Sequence, residues 1–330
     1  MILALNCGSQ SIKWKVFDNN LKLKGQNKKK VLKKGAFERI LKKELKNLDF
    51  DIDLIGHRVV HGGEKFRKPA EITAKVVKDL KKYNKLAPLH NPYNLLGIKT
   101  AKKVFPRAKQ TAVFDTEFYG SLPEVSRTYA LPENLRKKYK KLGFHGISHE
   151  YAGREAARKI KKPFNKLKII SCHLGGGSSI TAVKNGKAID TSMGYTPMEG
   201  LIMMTRAGDI DPGVVVKLGR KAGKILNYES GMKGLAQEDD MLKILKRKDK
   251  KAKLALDIFV YRIKKYIGAY CAILGGCDLL VFTGVIGAGL AKTRRLILKD
   301  LKILKKTKVI IIKPNEELAI VKKMLKSYNK

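Results

Sequence analysis

Cysteine, tryptophan and acid are what this 330-residue chain has little of. Its four cysteines (Cys7, Cys172, Cys271, Cys277) form no CxxC pair and are too few to staple a chain of this length. That excludes a disulfide framework and fits a reducing cytosol. Long apolar runs are also missing. The longest, residues 279–291, is interrupted by glycines and is too short to span a bilayer. A strand-like run begins at Ile2 with no leader-like segment ahead of it, so a cytoplasmic protein with no membrane partner is expected. Acidic residues number 29 against 71 basic ones, a formal net charge of +42. Arginine is the scarcer base, 14 against 57 lysines. Nucleic-acid sites lean on arginine at base edges. Here lysines are dispersed through helix-like stretches such as residues 28–34, 75–85 and 246–253, with few aromatics among them. The pattern favours a solvated lysine-rich surface over a specific nucleic-acid partner, while the positive field still attracts nucleotides and acyl phosphates.

The stretch that organises the chain is residues 169–212, IISCHLGGGSSITAVKNGKAIDTSMGYTPMEGLIMMTRAGDIDP. An apolar strand leads into Gly175, Gly176, Gly177, Ser178 and Ser179, and a β-branched run returns. Three glycines remove every Cβ from the turn, so backbone N–H groups can close on an anion and the two hydroxyls can add donors. A tight hairpin is the plainer reading, although it needs only one glycine or an Asn-Gly pair. Downstream, Arg206 stands in a turn-rich segment, and an always-charged fork near a phosphate turn is what phosphoryl transfer uses. The N-terminal stretch ILALNCGSQSIKWKVF has the same order as IISCHLGGGSSITAV: apolar strand, polar residue, Gly/Ser turn, returning strand. A degenerate internal repeat follows, with two related domains that each present a phosphate turn to a shared cleft.

Single residues add to this. In residues 53–61 the strand alternation puts Arg58 and Val60 on one face, and His57, Val59 and His61 on the other. A guanidinium beside an apolar residue suits a small carboxylate with a short alkyl tail, or else a structural salt bridge. HRVVH lacks the glutamate and helical setting of HExxH, which argues against a metal pair. A strand at residues 111–114 delivers Asp115 at its C-terminal end, as a functional acid or as a cap. Ser148 is the expected N-cap of a helix over 149–160. All six histidines fall in turn-rich stretches. The glycines of residues 284–289 run GxxGxG, the reverse of the dinucleotide fingerprint, and no Walker A motif exists. Glu316 and Glu317 open the last helix, where acids favour the N-terminus.

In order along nearly the whole chain, NCGSQSIK, GHRVVHGGEKF, APLHNP, FDTEFY, GFHGISHEY, CHLGGGSSITAV, DTSMGYTPMEGL, TRAGDIDPG, FTGVIG and PNEELAI resemble the acetokinase family, within the actin, sugar kinase and heat-shock ATPase superfamily. The resemblance implies an α/β fold of two duplicated ribonuclease-H-like domains around a nucleotide cleft, the actin-like ATPase fold. Residues 1–119 with 317–330 would form one domain and residues 120–316 the other. It also implies reversible, Mg²⁺-dependent transfer of the ATP γ-phosphoryl group to acetate, giving acetyl phosphate and ADP, and a homodimer. Position by position, Asn6, Ser9, Ser11 and Lys13 resemble the first phosphate hairpin. Arg58 and Arg206 resemble the arginines that hold the carboxylate and the transferring group. His145 resembles the histidine that contacts that group, and His90 a supporting one. Asp115 and Glu316 resemble the magnesium-site acids with Asn6 nearby, and Glu317 takes that place if the register slips by one. Val60, Leu89, Phe144 and Pro197 resemble the pocket around the acetate methyl. His173 with Gly175, Gly176 and Gly177 resembles the second phosphate loop, and Gly284, Val285, Ile286 and Gly287 the adenosine loop. Propionate kinase is the alternative within the family. A non-acyl ATPase of the actin or heat-shock type would share the hairpins, with no reason to keep Arg58, His145 and Arg206 beside an apolar pocket.

Overall fold

The computed structural model describes residues 1–9, 11–31, 34–88 and 90–328. The chain divides into two compact units, Met1–Gly120 with Asn315–Lys330, and Ser121–Pro314. Leu89, expected in the acetate pocket, lies outside the described residues.

The first unit is built on β1 (Ile2–Gly8), β2 (Ser11–Phe17), β3 (Leu23–Lys30), β4 (Leu54–Val59), β5 (Ala70–Glu71) and β6 (Lys109–Phe114). They form one sheet in the order β3-β2-β1-β4-β6-β5. β1 and β2 are an antiparallel hairpin, and β1, β4 and β6 run parallel. Alternation along β1 turns Leu3, Leu5 and Cys7 into a buried cluster with Leu41 and Leu45 of the Phe37–Lys46 helix and Ala101 of the Asn91–Val104 helix. The opposite face, which carries Asn6 and Arg58, receives the chain's last helix, Glu316–Tyr328. Gly56 in β4 allows that approach, since a Cβ there would stand 2.7 Å from Ile320 Cγ2.

Several expectations are corrected. Residues 28–30, read as helix-like, are the exposed end of β3, paired with β2. Lysines on an outer strand protect an otherwise open sheet edge, so their clustering reports an edge and not a helix. The helix-like stretch at 75–85 is helical only as far as Lys81, in a helix over Ala74–Lys81, and turns follow. The histidines are not confined to turns: His57 is in β4, His149 in a helix and His173 in a strand. His57 and His61 each have a partner within the protein. His57 Nε2 lies 2.8 Å from Gln110 Oε1, and His61 Nδ1 accepts from the Gly63 N–H at 3.1 Å.

The second unit carries β7 (Lys168–Leu174), β8 (Ser178–Lys184), β9 (Lys187–Thr191), β10 (Leu279–Thr283) and β11 (Lys308–Ile311). Their order, β11-β10-β7-β8-β9, read from its far end is third, second, first, fourth, fifth strand. The first unit has the same order, with the short β5 added antiparallel to β6 at the edge. The duplication read from the two Gly/Ser hairpins is therefore present in the topology. On one face, Ile170, Cys172, Leu174, Ile180 and Ala182 bury against Ala252, Ala255, Phe259, Ile263 and Ile267 of the Lys250–Leu274 helix. That helix starts where the Asp249 carboxylate accepts from the Ala252 N–H and stops at left-handed Gly275. On the other face Ser171, His173 and Ser179 meet the Gly146–Lys159 helix.

Burial pushes the His57 pKa down from 6.5 to about 4, against the Gln110 hydrogen bond that raises it. His57 is thus neutral in the fold, while the unfolded chain takes up its proton near pH 6.5. The resulting stability is complete above that pH and is lost as the pH falls towards 4. In urea titrations between pH 7 and 4, the parent is expected to lose up to about 3 kcal/mol more than His57→Gln. Parallel pH slopes for the two proteins would show that His57 is not the group responsible.

Candidate active site

In the first unit four of the expected residues come together. Asn6 ends the polar face of β1, Arg58 stands near the end of β4, Asp115 follows β6 directly, and Glu316 opens the last helix. Arg58 Nη2 donates to Asp115 Oδ2 at 2.6 Å, with its Nε 3.2 Å from the same oxygen. Its Nη1 reaches Asn6 Oδ1 at 3.3 Å and Glu316 Oε2 at 3.2 Å. Asn6 Nδ2 in turn donates to Glu316 at 3.0 Å and to Glu317 at 3.4 Å, so both glutamates stand in reach and the register is shared between them. Lys15, from the same face of β2, holds the helix start through Asn315 at 2.7 Å. Burial works against the Arg58 charge, and the Asp115 and Glu316 carboxylates more than offset it, so its pKa stands above the usual guanidinium range. Burial raises the Asp115 pKa, which Arg58 pulls back.

Ser11 pairs with Gly8 and Lys13 with Asn6 across the hairpin, and Ser9 lies in the turn. Val60 follows β4 and is buried, its N–H held by Asn94 Oδ1 at 3.0 Å. His90 occupies the N-cap position of the Asn91–Val104 helix.

In the second unit the glycine turn, two histidines and Arg206 converge. Residues 175–177 link β7 to β8, closed by the Gly175 N–H donating to the Gly177 carbonyl at 3.0 Å. A Cβ on Gly177 would lie 3.1 Å from His145 Cε1, 3.2 Å from His145 Nε2 and 3.7 Å from Arg206 Nη1. One on Gly175 would lie 3.8 Å from His173 Nε2 and 3.7 Å from Val285 Cγ2, and Gly176 at the tip is open. Gly284, with φ +79°, packs on the Leu174 backbone, where a side chain would stand 2.3 Å from the carbonyl oxygen. Gly287 approaches the same strand end. The segment read as a loop is a short helix, Gly284–Gly289, because the chain turns directly off β10. Val285 is exposed, and Ile286 is buried in the core.

Arg206 is 9% exposed. Its Nη1 donates to the Pro197 carbonyl at 2.9 Å and lies 3.4 Å from Met203 Sδ. No carboxylate pairs with it among the described residues, and burial lowers its pKa to about 10, so it stays charged at neutral pH. Asp209 fixes the segment by accepting from the Gly200 N–H and the Tyr266 O–H, each at 2.7 Å. Phe144 is buried immediately before His145, and Pro197 is half-buried.

Two sequence readings fail here. Ser148 is not the N-cap. The helix begins at Gly146 behind His145, which is left-handed at φ 58°, and the Ser148 hydroxyl lies 2.8 Å from His173 Nδ1. Nor do the hydroxyls of Ser178 and Ser179 serve the turn as anion donors. Ser178 bonds back to Gly175, and Ser179 lies 2.9 Å from His145 Nδ1 and 2.8 Å from His149 Nε2. Side chains that open a returning strand alternate inward, which the run GGGSS does not reveal. Thr283 was missed. Its hydroxyl at the end of β10 is buried without a hydrogen-bond partner among the described residues. Its place before the glycine run was the available signal.

A model of the Acetokinase family matches residues 19–307. The chain belongs to that family. Acetate kinase of Dictyoglomus turgidum is 45% identical over 332 residues, covering 87% of this chain and 82% of the relative. Among solved structures, Porphyromonas gingivalis acetate kinase matches with a TM-score of 0.87 at 33% identity, over 98% of each chain. A propionate kinase from Francisella tularensis matches with a TM-score of 0.88 at 35% identity, also over 98% of each. The fold class read from the motifs, duplicated ribonuclease-H-like domains of the actin-like type, is borne out. No helix among the described residues is long and apolar enough to cross a membrane.

Gly177→Ala is expected to cut phosphoryl-transfer turnover at least about tenfold, because catalysis falls steeply with sub-ångström displacement of the reacting groups. Circular dichroism and the melting midpoint should stay close to the parent's. Unchanged turnover would show that the ring and loop give way without consequence.

Proposed function

We propose that this chain is an acetate kinase, moving the γ-phosphoryl group of ATP reversibly to acetate to form acetyl phosphate and ADP. The observation that carries this reading is Arg206, a buried cation with no carboxylate partner among the described residues, set beside His145 Nε2 and the glycine turn. An uncompensated buried charge costs several kcal/mol. A phosphoryl group, with its charge spread over three oxygens, offsets that cost when bound.

The acetate oxygen attacks phosphorus while the bond to the ADP oxygen breaks. Acetate is already an anion at neutral pH, so no general base is required and no proton need move. The chain's task is to position two anions and stabilise the charge between them. Arg206 and His145 would donate to the transferring oxygens. The N–H groups of Gly175, Gly176 and Gly177, with His173, would hold the donor phosphates, together with Ser9, Ser11 and Lys13. Gly284, Val285, Ile286 and Gly287 would carry the adenosine. Arg58 would hold the acetate carboxylate, with Val60, Leu89, His90, Phe144 and Pro197 around the acceptor. The bulk of Val60 favours acetate. One methylene discriminates by only about 1–3 kcal/mol, so slower propionate turnover is expected.

Asn6, Asp115 and Glu316 suit Mg²⁺, being hard oxygen donors gathered on one face. Mg²⁺ takes one or two carboxylates with water and substrate phosphates in place of a protein cage. When bound, the ion neutralises phosphate charge.

With MgATP, ADP release should depend on acetate, proceed more slowly with propionate, and yield a product trapped as the hydroxamate. Release independent of any carboxylate would leave a heat-shock or actin type of ATPase. Arg206→Ala and Arg58→Ala should each lose roughly 10³-fold in turnover while keeping the parent's circular dichroism. Near-parental turnover in either would remove that arginine from the reaction.

A further inference from the structure

Beneath His145 a hydrogen-bonded series runs into the interior of the second unit. Ser171 Oγ lies 2.8 Å from His149 Nδ1, His149 Nε2 lies 2.8 Å from Ser179 Oγ, and Ser179 Oγ lies 2.9 Å from His145 Nδ1. Ser171, His149 and Ser179 are wholly buried. Burial and the neighbouring His173 keep His149 neutral, its pKa well below 6.5.

The protons in this series can be counted from its inner end. Among the described residues the Ser171 hydroxyl has one hydrogen-bond partner, His149 Nδ1. If it did not donate there, a buried O–H would be stranded, at a cost of about 1–3 kcal/mol. Ser171 therefore donates, and His149, accepting at Nδ1, carries its proton on Nε2 and gives it to Ser179. Ser179 has one proton, and it goes to His145 Nδ1. A neutral His145 must then hold its proton on Nε2, the nitrogen beside Gly177.

We propose that Ser171, His149 and Ser179 form a one-directional relay that holds His145 as the neutral Nε2–H tautomer, a hydrogen-bond donor facing the glycine turn. Protonating His145 would place a second proton on Nδ1, reverse the hydrogen bonds of the relay and strand the Ser171 hydroxyl. His173, stacked on His145 at 4.3 Å, and Arg206, which borders the same Gly177 position, are ionisable groups beside the ring. All three members of the relay are positioning residues: they touch no substrate and act through His145. That the donor serves a phosphoryl oxygen rests on the kinase reading above, whereas the tautomer rests on the relay alone.

The test is long-range ¹H–¹⁵N correlation spectroscopy of the histidine rings in the intact nucleotide-free enzyme, with His145 assigned by His145→Gln. The parent should show an acceptor Nδ1 and a protonated Nε2 at His145. Ser171→Ala removes the inner donor, leaving His149 Nδ1 unpartnered in either direction, so the bias disappears. His145 should then become a mixture of tautomers, and kcat should fall about twofold as the donor form is diluted. Ser171→Thr keeps the hydroxyl on a residue suited to a strand and should restore both readouts. Should Ser171→Ala fail to fold, Ser179→Ala severs the relay at its outer end and should produce the same mixture. A parent His145 protonated on Nδ1, or a variant that folds with the parent's tautomer, would overturn the proposal. Loss of acetate-dependent turnover in the parent would overturn the kinase reading and leave the tautomer result standing.

Discussion

Burying an arginine is the constraint on which the candidate residues of each unit depend. A guanidinium taken out of water demands a counter-charge or a dense set of acceptors. Arg58 meets the demand internally. Asp115, Glu316 and the Asn6 carboxamide surround it, and this ties the last helix to the end of the first sheet. Arg206 meets it only in part, through a backbone carbonyl and a thioether. Arg58 is held by carboxylates of its own unit, and Arg206 by none among the described residues. Residues of one type, both largely buried, thus stand in opposite electrostatic states.

The sheets supply the precision that such charges require. Period-two alternation sends Leu3, Leu5 and Cys7 one way and Asn6 the other in the first unit. In the second it sends Ile170, Cys172 and Leu174 one way, with Ser171 and His173 the other. Each sheet therefore carries an apolar face that holds it together and a face with a polar row of candidate site residues near the strand ends. Glycine completes the arrangement at Gly177, where a Cβ would press on the His145 ring, and at Gly284, where one would collide with the Leu174 carbonyl. Rigid strands place groups more exactly than loops do, and most of the candidate site sits within a residue or two of a strand end.

Much of this was legible in the sequence because the signals are local. The glycine turn, the two similar hairpins, and Asp115 at the end of a strand are read from neighbours along the chain. The failures share a cause as well. Lysines at residues 28–30 read as a helix until the strand beside them shows an edge. Ser179 read as a donor to the turn until the helix behind it showed His149. Ser148 read as a cap until His173 arrived from β7. In each case the deciding partner is distant in sequence, and local propensity does not report it.

By itself the sequence determined the family, the repeated hairpin and the residue types that phosphoryl transfer needs, since these depend on composition and short-range order. Only the tertiary structure decided which arginine is neutralised, that Glu316 and Glu317 both reach Asn6, and which nitrogen of His145 faces Ser179. Charge compensation and hydrogen-bond direction are properties of groups brought together across many residues of chain. They come into existence only when strands and helices from separate segments close on one another.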